Sequence, residues 1–206
     1  DHGNLFSAVH FFNAAKKAGI KPILGIEAYI APEKRQNKST VSEITGAPLP
    51  RYYHILLLVK NKIGYQNLIH LASQAYLEGI YYKPRIDKDL LFKHSEGLIC
   101  CSACLGGEIP RLIQANKLTE AKERMQEFKT VFGNDYYFEI MRHGIEEQNT
   151  VNEVGIQLAR SLQIPLVATN DVHYLNKEDV ELHNILLNIQ KSGESSSSKR
   201  ETESQE

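Results

Sequence analysis

Residues 20–31 read IKPILGIEAYIA, and residues 52–60 read YYHILLLVK. Both runs are apolar almost throughout instead of alternating between apolar and polar residues, which is typical of strands covered on both faces. The segment 32–50 between them is rich in Lys, Asn, Ser, Thr and Pro and is predicted to be a surface loop. Strands covered on both faces indicate an α/β protein with helices packed against its sheet.

Helix-like and strand-like segments alternate along the rest of the chain. The alternation favours a parallel sheet or barrel with helices outside, where active residues collect at the carboxyl ends of the strands. The five predicted strands are too few for a complete eight-stranded barrel. Helical spacing of apolar residues occurs in the segments 4–17, 65–76, 118–132, 151–162 and 182–189. Short apolar runs predict further strands at 97–103, 136–141 and 165–169.

The composition is that of one ordinary globular domain. The 206 residues are 42% hydrophobic and carry 24 Lys and Arg against 25 Asp and Glu. No overall positive field therefore attracts the chain to nucleic acid, and any such contact must be local. No apolar run approaches the length of a membrane span, and the first residues lack the pattern of a secretion signal. The three cysteines, Cys100, Cys101 and Cys104, are clustered, which predicts a reducing, cytoplasmic setting.

The sequence predicts one domain over residues 1–190, followed by a tail. From Lys191 onward the chain contains six Ser, seven charged residues and no large apolar side chain. Such a segment buries too little apolar surface to offset the entropy of ordering. We therefore predict that residues 191–206 form a disordered tail rich in Ser and charge.

Side chains that bind metals occur at or near the predicted strands. Glu27 lies in the first strand, His54 lies in the run 52–60, and Cys104 follows the strand 97–103. Carboxylate, imidazole and thiolate together suit zinc, or manganese or iron where carboxylates dominate. In a parallel barrel such positions converge on one mouth, which predicts a metal site there. The other candidates precede the first helix or follow later strands: Asp1, His2, His143, Asp171 and His173.

Each candidate also has a purely structural interpretation. His54 alone would more often be a hydrogen-bonded core histidine, and Asp171 alone could cap the helix that follows it. Glu27 is different, because a buried carboxylate is costly without a metal, a cation or a hydrogen-bond network.

A dithiol redox centre is a further alternative, since Cys101 and Cys104 form a C-x-x-C motif. Such a motif usually opens a helix, whereas Leu105, Gly106 and Gly107 intervene here before a helix can begin. The chain also lacks a Walker phosphate loop and a G-x-S-x-G motif around any Ser, which excludes phosphate-loop and serine-hydrolase chemistry of those types.

The loop 81–85 reads YYKPR and interleaves two aromatic side chains with two cations, Lys83 and Arg85. This combination suits the stacking of a base and the binding of a phosphate. A solvated polar loop is an equally good interpretation of the same residues.

The string of motifs resembles the PHP (polymerase and histidinol phosphatase) domain at the amino end of bacterial DNA polymerase III alpha subunits. The resemblance extends over residues 1 to about 190, and motifs of this length are specific. It is carried by DHGNL (1–5), GIKPILGIEAY (19–29), YHILLL (53–58), GIYYKPRID (79–87), SACLGGEIP (102–110) and ATNDVHY (168–174).

The resemblance implies a distorted (β/α)7 barrel with up to three divalent metal ions, zinc above all, at its mouth. The first strand of the family, with its His-x-His pair, has no counterpart before Asp1, so we expect an incomplete barrel that holds fewer metals. We also expect the polymerase domains to be absent after Lys191. The resemblance assigns the metal ligands to His2, Glu27, His54, Cys104, Asp171 and His173.

The resemblance also implies a role in DNA replication. In some members the site is a metal-dependent 3′–5′ exonuclease, and in others the domain is a noncatalytic platform for the polymerase and its proofreading subunit. The implied partners are the 3′ end of a DNA primer, the remaining polymerase domains and the proofreading subunit. Three residues are expected to be catalytic: Asp171, His173 and His143. Three others are candidates for contact with substrate: Asp1, Lys83 and Arg85. Because His2 lies next to the terminus, we expect it to fray and to contribute little to metal binding.

Overall fold

A sheet carries the fold, and its longer strands match the apolar runs of the sequence. The computed structural model describes residues 1–42 and 44–189, so the predicted tail lies outside the described residues. The strands are Gly25–Ile30 (β1), Tyr53–Val59 (β2), Ile80–Tyr81 (β3), Lys83–Ile86 (β4), Leu98–Cys101 (β5), Tyr136–Ile140 (β6) and Leu166–Ala168 (β7). They form an open seven-stranded sheet in the order β3-β4-β1-β2-β5-β6-β7. The prediction of a mixed α/β fold is confirmed.

Helices pack against this sheet, as the alternating pattern predicts. The α-helices that have defined bounds are Ala8–Lys17 (α1), Lys62–Glu78 (α2), Lys88–Lys93 (α3), Glu108–Gln114 (α4), Leu118–Phe132 (α5) and Glu146–Ser161 (α6). Helix α2 contacts β2, β4 and β5, while α5 contacts β5 and β6. The periodic apolar residues of α5 are buried on the sheet side: Ala121, Met125, Phe128 and Phe132.

The strand directions differ from the parallel sheet that the alternation predicts. Strand β2 runs antiparallel to both of its neighbours, β1 and β5. The β1–β4, β5–β6 and β6–β7 pairs are parallel. The cause lies in the connection between β1 and β2, whose described residues contain no helix to carry the chain back across the sheet. The chain therefore returns directly alongside β1, in the opposite direction.

Four short elements are absent from the sequence prediction. Strands β3 and β4 form a small hairpin that begins directly after α2, and helices α3 and α4 have six and seven residues. Elements this short contain too few turns or alternations to produce a periodic signal. Side-chain capping marks α3, because the carboxylate of Asp87 accepts a hydrogen bond of 2.9 Å from the N–H of Leu90.

The described chain divides into two compact units at Thr169. The first unit, Asp1–Thr169, contains the sheet and the helices with defined bounds. The second unit begins at Asn170 and includes a short 3₁₀-helix, Lys177–Asp179, and helical residues at 180–189. The prediction of one domain over 1–190 stays a prediction. None of the described helices has the length and apolar character needed to cross a membrane.

A glycine fixes the approach of α2 to the sheet. The side chain of Asn61 caps α2 by accepting a hydrogen bond of 3.0 Å from the N–H of Gly64. A Cβ at Gly64 would lie 1.8 Å from the carbonyl oxygen of Gly97, which leads into β5. The backbones can therefore meet only because residue 64 has no side chain.

The variant Gly64→Ala is expected to lower the free energy of unfolding by about 2 kcal/mol or more, because the helix must move away from Gly97. Helix propensity alone predicts the opposite sign, a gain of about 1 kcal/mol. Urea unfolding, with Ser73→Ala on the exposed side of α2 as control, measures the difference. A stability of Gly64→Ala equal to or above that of the unmodified chain would contradict the close approach.

Candidate metal centre

Three metal-competent side chains from three segments lie together on the central strands of the sheet. Glu27 lies within β1, His54 lies near the start of β2, and Cys104 follows β5. Their ligand atoms all lie within 4.8 Å of one another. Across the antiparallel ladder Glu27 is opposite Leu56, and His54 is opposite Tyr29. Glu27 and His54 are therefore diagonal neighbours on the same face of the sheet.

Glu27 is at the centre of this group. Its Oε1 lies 2.7 Å from His54 Nδ1 and 3.7 Å from Cys104 Sγ. Cys104 Sγ also lies 3.4 Å from His54 Nδ1. The other carboxylate oxygen, Oε2, lies 2.8 Å from His2 Nε2. We refer to His2, Glu27, His54 and Cys104 as the Glu27 cluster.

Burial and hydrogen bonding act in opposite directions on the Glu27 carboxyl, whose side chain is 15% exposed. Burial raises its pKa, but hydrogen bonds from His2 and His54 and the charge of those rings outweigh burial and hold the pKa far below its ordinary value. The group is therefore ionised at neutral pH. Ionised carboxylate is the form that binds a metal.

A strained turn places Cys104 against the cluster. Ala103 has a φ of +64°, a region that alanine rarely adopts. Its N–H donates to the Glu139 carboxylate at 2.5 Å, and the N–H of Gly106 donates to the Cys104 sulfur at 3.4 Å. Glu139 is 4% exposed and also accepts a hydrogen bond of 3.0 Å from the Thr169 hydroxyl. Its buried carboxylate stabilises the turn that directs the thiol toward Glu27.

Glu139 is the positioning residue that the sequence interpretation missed. It is the fourth of the five residues of β6 and lies between Phe138 and Ile140. The same signal singles out Glu27, namely a carboxylate inside a buried strand, which requires a partner. Glu139, a carboxylate in the apolar run 136–141, has the same signature in the sequence.

His2 is ordered, contrary to the expectation that it frays. The N–H of Glu27 donates to the Asp1 carbonyl at 3.0 Å, and the N–H of Gly3 donates to the Glu27 carbonyl at 2.9 Å. His2 thereby forms a parallel bridge with Glu27. The Asp1 carboxylate accepts hydrogen bonds of 2.9 and 2.7 Å from the N–H and hydroxyl of Ser7, just before α1. Asp1 therefore supports the segment that carries His2.

His143 lies in the first unit but outside the metal-competent group. Its side chain is exposed, its Nδ1 lies 2.9 Å from Gln148 Nε2, and its N–H donates to Gln148 Oε1 at 2.8 Å. Gln148 is itself buried. These two contacts fix the ring of His143 at the start of α6.

Arg85 has a structural role in place of the predicted contact with substrate. It is 1% exposed, and its guanidinium packs 4.9 Å from the centroid of the Tyr81 ring. Four backbone carbonyls accept its hydrogen bonds at 2.8 to 3.2 Å: Arg35, Asn37, Arg51 and Gly79. Lys83, the other cation of this loop, is partly exposed.

Asp171 and His173 belong to the second unit. Within it, His173 Nδ1 lies 2.7 Å from the Asp171 carbonyl oxygen and 3.9 Å from its carboxylate. The His173 ring centroid lies 5.5 Å from that of His183. Asp171 has a φ of +45°, which holds the turn that brings its carbonyl to the imidazole. Metal binding by Asp171 and His173 stays a prediction.

The atoms of the Glu27 cluster fit a tetrahedral metal ion. Zinc bonds of about 2.0–2.3 Å place neighbouring ligand atoms roughly 3.3–3.8 Å apart. The two sulfur contacts, 3.4 and 3.7 Å, already have that spacing, and the contact of 2.7 Å between His54 and Glu27 needs only a small opening. A thiol with an imidazole and a carboxylate is a donor set typical of zinc. His2 lies outside this group of three and contacts the other oxygen of the Glu27 carboxylate.

The structure gives little support to a redox-active dithiol formed by Cys101 and Cys104. Cys101 is buried in β5, and burial together with the charge of Glu139 raises the pKa of its thiol to about 12. A reactive dithiol needs an accessible thiolate of lowered pKa. Cys104 is partly exposed and directed at Glu27 and His54 instead.

The fold and the cluster together define a mixed α/β domain with a candidate metal site on its sheet. The PHP domain family model matches residues 1–143, which include the whole Glu27 cluster. The chain belongs to the PHP domain family, as the sequence motifs predict.

Similar curated proteins carry the name DNA polymerase III subunit alpha. The protein of Borreliella burgdorferi is 52% identical over 191 residues, and those of Thermus aquaticus and Treponema pallidum are each 48% identical over 190 residues. Each alignment covers 92% of this chain but only 15 to 16% of the relative. The chain therefore spans about a sixth of the length of these relatives.

Proposed function

We propose that this chain is the PHP part of a replicative DNA polymerase III alpha subunit and that its Glu27 cluster binds a divalent metal, zinc foremost, for 3′–5′ hydrolysis of DNA. The convergence of carboxylate, imidazole and thiol within 4.8 Å carries the proposal. The identity of 52% to a relative named as that subunit supports the assignment. The primer 3′ end and the remaining polymerase domains are the partners in this proposal. A cytoplasmic location, predicted from the cysteines, is part of it.

The residues of the cluster have distinct tasks in this proposal. Glu27 supplies a buried negative charge, and Cys104 and His54 supply the softer donors. A bound divalent ion supplies Lewis acidity for the activation of water and of the phosphodiester. The side chain of His2, 43% exposed, lies on the solvent side, where a substrate phosphate would arrive. Glu139 keeps the Cys104 turn in place while substrate binds.

Residues outside the cluster complete the proposed site. Asp171 and His173 are proposed as further ligands, since they match the ligand positions of the PHP motif ATNDVHY. His143 is proposed to act on the substrate, because its ring is exposed and held by Gln148. Asp1 is proposed to support His2 rather than to contact DNA.

A noncatalytic platform is the second candidate function, and an exposed apolar surface favours it. A groove between the start of α1 and the outer face of α2 is lined by Phe6, Ile69, Tyr76 and Leu77 among others. Phe6 is 80% and Leu77 is 76% exposed. Apolar surface of this kind marks sites of protein contact. The proofreading subunit is the partner that this alternative proposes.

Trimming of a labelled primer 3′ end by the complete polymerase subunit separates the two functions. We expect His54→Ala to slow metal-dependent trimming about 100-fold, because it removes a metal ligand, and to leave DNA synthesis unchanged. His70→Ala, an exposed histidine on α2, is the control. Trimming that is the same in His54→Ala and the unmodified subunit would refute the hydrolytic site. Loss of the proofreading subunit in Leu77→Asp would then favour the platform.

A further inference from the structure

The hairpin between β3 and β4 presents an aromatic ring in an unusual backbone conformation. Tyr82 has a φ of +61° and is 49% exposed. A tyrosine in the left-handed region is uncommon, and such conformations cluster at ligand-binding positions. The strained backbone places a large aromatic ring at the surface. Burial of apolar area therefore does not account for this conformation.

Neighbouring side chains hold this ring in place. The Arg51 guanidinium lies 3.7 Å from the centroid of the Tyr82 ring, a cation–π contact. The Tyr81 ring meets the Tyr82 ring edge-on, with centroids 4.8 Å apart and planes at 75°. Tyr81 in turn lies against the buried guanidinium of Arg85. The exposed ring and its guanidinium are therefore fixed before any ligand arrives.

Two cations accompany the ring: Arg51, which lies over it, and Lys83, which follows Tyr82 in the chain. None of the ion pairs found in residues 1–42 and 44–189 includes Arg51 or Lys83. An exposed aromatic ring with a guanidinium stacked on it and a lysine next to it in the chain suits an anionic ligand that also has flat rings.

Ring contacts connect Tyr52, the residue after Arg51, with the Glu27 cluster. Arg51 precedes Tyr52, whose ring is parallel to that of His54, at 8° and with centroids 6.0 Å apart. Tyr29 contacts both rings edge-on, with centroids 4.7 Å from Tyr52 and 5.4 Å from His54. Arg51 is only three residues before His54, so the cation that lies over Tyr82 is separated from the cluster by no more than about 11 Å of extended chain.

We propose that Tyr82, Arg51 and Lys83 bind single-stranded nucleic acid beside the metal cluster. A base stacks on the layered ring and guanidinium, and the two cations bind the flanking phosphates. The ligand is a single strand, because in a duplex the face of each base is covered by the adjacent bases. The inference rests on the proposed function, since it names the form in which the substrate reaches the cluster. The net charge of −1 provides no overall positive field, so binding of nucleic acid must depend on a local contact of this kind.

Binding of a fluorescent oligothymidylate to the full chain tests the stacking step. Fluorescence anisotropy is measured at low salt with a chelator present, so that metal plays no part. We expect Tyr82→Gly to weaken binding about tenfold, because base stacking is lost. Glycine adopts a positive φ freely, so this variant retains the turn. Tyr82→Phe, which keeps the ring, should bind within about twofold of the unmodified chain.

An abasic oligomer of the same length separates stacking from charge. Tyr82→Gly should leave its binding unchanged, whereas Lys83→Ala should weaken binding of both oligomers and lower the salt dependence by about 0.7 log units per log unit of salt. Lys62→Ala, an exposed cation at the start of α2, is the matched control.

Three results would overturn the inference. One is the absence of saturable oligothymidylate binding by the unmodified chain, and another is unchanged binding in Tyr82→Gly. The third is an equal loss for the abasic oligomer, which would mean that Tyr82 does not stack on a base. Failure of the proposed function gives a different result from failure of this inference. Metal-dependent trimming would then be absent, while oligothymidylate binding in the presence of chelator would still depend on Tyr82.

Discussion

Zinc binding by the Cys104→Ser variant is expected to be at least about 100-fold weaker than binding by the unmodified chain. The serine hydroxyl stays protonated at neutral pH, so the site loses a thiolate donor and one of its negative charges. Loss of an outer contact to a metal ligand already costs about 10- to 100-fold in affinity, and Cys104 is proposed as a ligand itself. Competition with a chromophoric chelator measures the affinity.

Cys101→Ala is the matched control for this experiment. Cys101 is only three residues away but is 3% exposed, with its thiol held protonated by burial. Its loss should leave zinc affinity within about twofold of the unmodified chain, because the side chain packs and does not bind. Equal weakening in both variants would support a dithiol centre, and no weakening in Cys104→Ser would remove Cys104 from the site.

The Arg85→Met variant is expected to lose about 3–5 kcal/mol of unfolding free energy. Methionine fills much of the same volume but donates no hydrogen bond, so four backbone carbonyls lose their donor. An unsatisfied buried polar group costs about 1–3 kcal/mol, and some of these carbonyls will regain water. Urea unfolding monitored by circular dichroism measures the loss. Because three of the carbonyls lie in or next to the segment 32–51, that segment should become more sensitive to protease.

Arg124→Met provides the comparison for Arg85. Arg124 is nearly half exposed, and its contacts with Glu108 and Glu127 are both 3.4 Å long. Exposed ion pairs contribute about 0–1 kcal/mol, so this loss should be small. Arg85→Lys should fall between the two, since one ammonium cannot reach all four carbonyls. Similar stability of Arg85→Met and Arg124→Met would contradict the structural role of Arg85.

Local patterns in the sequence were sufficient for the long elements and for the choice of cluster residues. The spacing of Ala121, Met125, Phe128 and Phe132 predicts a helix over 118–132, and α5 has these bounds. Such elements are readable because their own hydrogen bonds and one buried face determine them. Glu27 and His54 could be selected because their chemistry is unusual among apolar strand residues, and Cys104 because it directly follows a buried strand. The sequence motifs by themselves also indicate the PHP family.

Tertiary structure alone decided how these residues meet. The direction of β2 depends on the path of the segment 31–52, which has no periodic pattern, so the predicted parallel arrangement was wrong for β2, whereas the β1–β4, β5–β6 and β6–β7 pairs are parallel. The order of His2 depends on backbone hydrogen bonds to Glu27, which lies 25 residues further along the chain. The turn at Ala103 depends on Glu139, from a strand more than thirty residues later. In the sequence Arg85 is a cation in a predicted loop. Its structural role exists only because four backbone carbonyls converge on its buried guanidinium.

The physical reason is common to all four cases. Partners far apart in sequence leave no local periodicity, and their hydrogen bonds exist only when the sheet has brought them together.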